Sequence, residues 1–133
     1  MGDRVAEARA NIDAFNRRDV DAIVATFAAN VEWWPLRSAT EGPYRGHDGI
    51  RDWFADTAEQ FEYMRATVDD VREEGDAVVL SGELRVKGRQ SGASIDQPIT
   101  WIFRYAGDKV VWGKSYSDPD EAAADLGPHD TSG

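Results

Sequence analysis

The hydrophobic residues of this chain follow one period up to about residue 61 and another after it. From Arg4 to Phe61 apolar side chains recur every three or four residues, and from Glu62 to Tyr116 they alternate. A helix repeats every 3.6 residues and a strand every two, so helices form first and a meander of antiparallel strands follows. A chain divided in this way does not interleave its strands and helices as a parallel sheet requires. The expected class is α+β, with helices laid against one face of a curved antiparallel sheet.

The first helix is predicted over about Arg4 to Arg18, with Val5, Ala8, Ile12 and Phe15 on one stripe and Asp3 as its N-cap. Asp19 can cap a second, short helix carrying Val20, Ile23, Val24 and Phe27 up to Asn30. Val31 to Trp34 reads as a strand that Pro35 ends. The third helix starts near Asp48, and its stripe of Ile50, Trp53, Phe54, Thr57 and Phe61 is the most amphipathic in the chain. Alternating runs at about 62–73, 77–87, 95–105 and 109–116 are separated by Glu74-Gly75-Asp76, Gly88 to Gly92 and Ala106-Gly107-Asp108, the turn residues of a meander. Asp118-Pro119-Asp120-Glu121 is an N-terminal helix signature leading into a short helix ending at Leu126. Residues 1–126 are therefore expected to form one domain, and 127–133 a frayed tail.

A length of 133 residues suits one domain with a real core. The absence of cysteine excludes a disulfide framework, a thiolate nucleophile and a sulfur-ligated metal. His47 and His129 are isolated, so no metal site is expected; His47, entering a helix, reads as a capping or packing residue. A formal net charge of −10, with no basic cluster against it, argues against nucleic acid and anionic membrane as partners. No apolar run is long enough to span a bilayer, and a cytoplasmic location is expected. The acidic stretch Asp69 to Asp76 reads as a solvated hairpin end, and Gly88 to Gly92 lacks the strand-to-helix setting of a phosphate loop.

Two strands carry most of the functional signal. In the run 95–105, Ile99, Trp101 and Phe103 occupy one face and Ile102 the other, so both faces are apolar. One should line the helices; the other needs a cover, and a second copy of the chain would supply it. In the run 77–87, Leu80, Leu84 and Val86 share a face opposite Ser81, Glu83 and Arg85. Periodicity alone turns the leucines toward the helices.

The order helix, short helix from Arg18-Asp19-Val20-Asp21, strand Val31-Glu32-Trp33-Trp34-Pro35, Tyr44-Arg45-Gly46-His47-Asp48-Gly49-Ile50, then four strands resembles the nuclear transport factor 2-like superfamily. Its small-molecule branch includes ketosteroid isomerase, SnoaL-like polyketide cyclases and limonene epoxide hydrolase. The resemblance implies a conical, cystatin-like fold with a pocket between three helices and the concave sheet face, often dimeric through the convex face. It also implies a cofactor-independent site. The isomerase's Asp base, Tyr and protonated Asp fall on Trp34, Asn11 and Trp101, none of which can do that proton chemistry. The epoxide hydrolase's Asp–Arg–Asp set falls on Glu83, Arg85 and Ser115, a charged pair in reversed order without the second acid. This carry-over turns Ser81, Glu83 and Arg85 inward with Gln97, Ile99, Trp101, Gly113 and Ser115, and turns Leu80, Leu84, Ile102 and Trp112 outward. We adopt it here over the bare period.

The expected catalytic residues are then Glu83 as base, Arg85 as its orienting cation or an anion anchor, and Glu32 as a second acid. Against this stands a plain reading in which Glu83 and Arg85 form a solvated salt bridge and Glu32 an exposed strand residue. Asn11, Phe15, Trp34, Tyr44, Trp53, Gln97, Ile99, Trp101 and Ser115 are the expected ligand contacts, although Phe15 and Trp53 also suit an ordinary core. Two functions stay open: an isomerase, cyclase, dehydratase or hydrolase acting on a small apolar molecule of polyketide, terpenoid or aromatic type, or a non-catalytic binding protein. A bare dimerisation domain is the third.

Overall fold

The structure is a computed structural model and describes residues 3–35 and 43–126. Four helices, α1 (Asp3–Arg17), α2 (Val20–Val24), α3 (Gly46–Gln60) and α4 (Pro119–Leu126), accompany six strands, β1 (Phe27–Trp34), β2 (Tyr44–Arg45), β3 (Phe61–Glu74), β4 (Ala77–Gly88), β5 (Ser94–Ala106) and β6 (Lys109–Tyr116). The six strands form one sheet in the order β2-β1-β6-β5-β4-β3. The class is α+β, as the change of period implies. Antiparallel pairing is not uniform, however, because β1 runs parallel to β6.

Local chemistry accounts for most boundaries. The Asp19 carboxylate accepts from Ala22 N at 3.2 Å and starts α2. That helix stops at Val24, short of the expected Asn30, because Phe27 begins a strand whose first register partner is Val110. The expected stripe residue Phe27 is thus a strand residue. His47 Nε2 meets Phe27 O at 2.8 Å and ties the start of α3 to β1. Asp118 Oδ1 accepts from Asp120 N at 2.9 Å at the head of α4. The tail 127–133, with His129, lies outside the described residues.

Helices α1, α2 and α3 cover one face of the sheet. The core there joins Ala8, Ile12 and Ala14 of α1, Ile23 and Val24 of α2 and Ile50 of α3 to Val31, Trp33, Ala66, Val78, Leu80, Leu84, Ile99, Trp101 and Phe103 from the strands. The strand at the sheet edge, β3, is clasped by Asn16, whose Nδ2 donates to Ala66 O at 2.9 Å while its Oδ1 accepts from Ala66 N at 2.8 Å. A side-chain amide thereby takes the place of a further strand. β3 carries an irregularity between Val68 and Asp70, opposite Gly82. A Cβ on Gly82 would collide with the Thr67 carbonyl oxygen, so the close approach that bends these two strands requires glycine there.

The other face has its own apolar cluster, Ala77, Val79, Ile102 and Tyr116, packed under Ala122 and Leu126 of α4 with Trp112 alongside. Tyr116 Oη donates to Asp125 Oδ2 at 2.7 Å and Lys114 Nζ lies 3.3 Å from the same carboxylate, which that hydroxyl and then the ammonium hold below its ordinary pKa. Three residues expected on an outer dimer face are therefore reassigned. Ile102 is 0% exposed, sealed beneath α4 within the chain, and Leu80 and Leu84 belong to the helix-covered core. Trp112 stays half-buried on the outer face, under the Arg104 guanidinium 5.6 Å from its ring.

The inward turn of Glu83 and Arg85 is overturned. Opposite residues of an antiparallel pair share a face, and Leu80 pairs with Trp101 and Leu84 with Gln97. Trp101 and Gln97 face the helices, so Leu80 and Leu84 do too. Glu83 then falls on the outer face beside Thr67 and Pro98, and Arg85 beside Asp96. The carry-over had slipped β4 by one residue relative to β5, and a one-residue slip exchanges the two faces of a strand. Periodicity gives the observed orientation, because burying the Glu83 and Arg85 charges would cost more than their mutual attraction returns.

Candidate functional site

Between α1, α3 and the helix-covered face of the sheet lies a cavity of about 640 Å³, within the usual size of small-molecule sites. Its apolar wall is aromatic. Trp53 stacks on Phe15 at 5.8 Å between ring centres and meets the edge of Trp33 at 5.2 Å, and Trp33 in turn stacks on Phe103 at 5.9 Å. Gly113 permits that last contact, since a Cβ there would come within 2.8 Å of the Phe103 ring. The Trp33 Nε1 is buried with no hydrogen-bond partner among the described residues, so ring packing alone holds the indole. The clasp of Asn16 on Ala66 fixes the end of α1 and hence the neighbouring Phe15.

Helix α3 supplies the polar side. Trp53, Asp56, Thr57 and Gln60 line the cavity at helical spacing i, i+3, i+4 and i+7. The Thr57 hydroxyl donates to Phe54 O at 2.9 Å. Tyr44, in the short β2 opposite Trp33, donates its hydroxyl to Asp56 Oδ2 at 2.8 Å. Asp56 is half-buried, and among the described lining residues it and Tyr44 are the only ionisable groups. No cation pairs with Asp56 among the described residues. On the sheet side Gln97, Ser115 and Ser117 add neutral polar groups, while Asn11 Nδ2 donates to Thr26 Oγ1 at 2.9 Å.

Of the residues singled out from the sequence, Asn11, Phe15, Tyr44, Trp53, Gln97, Ile99, Trp101 and Ser115 line this cavity together. Trp34, Glu32, Glu83 and Arg85 do not. Trp34 lies on the outer face, where its Nε1 donates to Glu32 Oε1 at 3.3 Å and Lys114 Nζ sits 5.8 Å from its ring; Trp33 takes the inward place. Glu32 also accepts from Arg45 Nε at 3.4 Å, a pairing across β1 and β2 outside the cavity. Glu83 is exposed. Arg85 makes a two-pronged bond to Asp96 at 2.7 and 3.0 Å, which lowers the Asp96 pKa and raises that of the guanidinium. The solvated salt bridge is thus the correct reading of Arg85, with Asp96 as its partner. Asp56 and Gln60 escaped the sequence reading and Thr57 entered it only as a member of the α3 stripe, though Asp56 falls between Trp53 and Gln60 at the margin of that stripe, and a carboxylate there is itself a signal. Leu84 and Val86 were legible as the apolar face of their strand.

An aromatic-walled cavity in an α+β cone of three helices and a curved sheet defines a class of small-molecule domains. The SnoaL-like domain family matches residues 8–112, and the chain belongs to it. No curated protein is significantly similar in sequence. A nuclear transport factor 2-like protein of unknown function from Burkholderia pseudomallei superposes with a TM-score of 0.81 at 23% identity, covering 93% of this chain and 97% of that one. TerC, co-crystallised with polyporic acid, gives 0.77 at 21% identity over 90% and 95% of the two chains. IdmH, a putative polyketide cyclase from Streptomyces antibioticus, gives 0.72 at 20% identity over 94% and 99%. At these identities the likeness establishes the fold.

Proposed function

We propose that the chain is a cofactor-independent acid/base enzyme, of isomerase, cyclase, dehydratase or hydrolase type, acting on a small apolar molecule of polyketide, terpenoid or aromatic kind. The observation that carries this reading is the Asp56–Tyr44 pair, the one ionisable couple described on the wall of an otherwise neutral, aromatic cavity. Asp56 takes the role first given to Glu83. Tyr44 holds Oδ2 and leaves Oδ1 to accept a proton from the ligand and return it at another atom, while the rings of Trp33, Trp53 and Trp101 hold the ligand and displace water. TerC with its polyporic acid and the putative cyclase IdmH support a ligand of this class.

The test is native mass spectrometry of the protein with metabolite extracts, followed by turnover of the captured compound by Asp56→Asn. Loss of a proton-transfer group should slow turnover by about 10²–10⁴-fold. A rate unchanged in Asp56→Asn would reject the mechanism. The second reading, a non-catalytic binding protein, is favoured by the scarcity of further polar groups on the wall; it requires that captured compounds are returned unaltered. The same proposal takes the protein as a cytoplasmic homodimer through the outer sheet face around Trp112. A monomer in sedimentation at micromolar concentration would remove that part.

A further inference from the structure

Charge along the cavity is unbalanced. Asp56 contributes a carboxylate, no lysine, arginine or histidine stands among the described lining residues, and the other polar groups are neutral. Four described arginines of neighbouring segments are engaged elsewhere: Arg45 with Glu32, Arg51 with Asp21, Arg85 with Asp96, and Arg89 with the Ala58 carbonyl. Tyr44 donates to Asp56 but brings no positive charge, and the aromatic faces around it are negative at their centres. The chain as a whole carries −10.

From this we infer that the cavity selects by charge: it admits neutral or cationic molecules that offer a hydrogen-bond donor to Asp56, and it rejects carboxylates of the same shape, with Asp56 as the discriminating residue. The inference rests on the cavity being the ligand site, as proposed above, but not on catalysis. A carboxylate brought into the cavity would meet a second carboxylate in a site partly shielded from water, with no cation among the described lining residues to offset the repulsion. An ammonium or hydroxyl group would instead donate to Oδ1, and an ammonium would gain further from the indole faces.

Three probes of one shape test this: naphthalen-2-ylmethanol, naphthalen-2-ylmethylamine and naphthalene-2-carboxylate, titrated at pH 7 against the tryptophan indole NMR signals. The alcohol and amine should bind at least about tenfold more tightly than the carboxylate. Asp56→Asn, checked for folding by thermal melting, should bring the carboxylate to within about threefold of the alcohol by removing the repelling charge. Equal binding of all three to the parent overturns the charge inference while leaving the cavity as ligand site. Binding of none overturns both. A ranking that persists in Asp56→Asn shows that another group sets it and also overturns the inference. Should Asp56→Asn fail to fold, the parent ranking decides. Retained turnover in that variant would sink the catalytic reading without touching this one.

Discussion

Leu84 and Glu83 sit on opposite faces of β4, and a pair of truncations one residue apart measures that difference. Leu84 is 7% exposed and packs in the helix-side core while lining the cavity, whereas Glu83 is exposed on the opposite face. Leu84→Ala removes buried methyl groups but enlarges a void that already exists, so its cost belongs at the lower end for such changes, about 2–3 kcal/mol. Glu83→Ala removes a solvated side chain and should stay within about 0.5 kcal/mol. At about 2.1 cal/mol/K of unfolding entropy per residue, Leu84→Ala should lower the melting temperature of a chain this size by about 7–11 °C and Glu83→Ala by under about 2 °C. Urea unfolding, compared at equal m-value, supplies the free energies. If Glu83→Ala costs as much as Leu84→Ala, then Glu83 is on the inside and the cavity described above is wrong.

Asn16→Ala should destabilise by about 2–3 kcal/mol in urea unfolding, since the amide and carbonyl of buried Ala66 both lose their partner; a loss below about 0.5 kcal/mol would show that water replaces the clasp. With 4-nitrobenzyl alcohol as quenching ligand, Trp101→Ala should weaken binding by about 1.5–3 kcal/mol, while Trp34→Phe, altered on the outer face, should leave the affinity unchanged. The reverse pattern would put Trp34 in the cavity. Asp125 has its pKa lowered in the folded state by Tyr116 and then Lys114, so its contribution is complete above the ordinary aspartate value and disappears as pH falls below it. Acid titration of the parent should therefore loosen α4 at the low end of the carboxylate range, and Asp125→Asn, followed by amide exchange of α4, should abolish that step.

How far the sequence led depended on whether one element's pattern was enough. The period change at Phe61 placed the helices and the four long strands, because each repeats its pattern many times over its own length. Two-residue β2 carries no period at all, and it is what sets Tyr44 opposite Trp33. For β5 and β6 the family carry-over placed Trp101 and Ser115 inward, and their pairing in the register agrees with that orientation. For β4 the local pattern was right and the borrowed alignment wrong, since a distant relative preserves a fold more faithfully than it preserves the parity of one strand. The Trp33–Trp34 ambiguity has the same origin: two adjacent indoles satisfy either face, and only pairing with Gly113 and Lys114 decides which is inside. Asp56 was missed because a helix stripe was counted for its apolar members, although the charged residue at its margin lines the cavity.

The parallel pairing of β1 with β6 sets an order of events. Trp33 meets Gly113 across that ladder, so one aromatic wall of the cavity joins segments about 80 residues apart along the chain. Such a contact cannot form on the ribosome until β6 has emerged, long after α1, α2 and α3 are available to collapse on one another. Until then the faces of Trp33, Trp53 and Phe103 have no completed sheet to bury them, and the nascent chain presents these rings to its surroundings. A molecule that fits the cavity would therefore recognise only the finished fold, and by mass action it would favour that state alone.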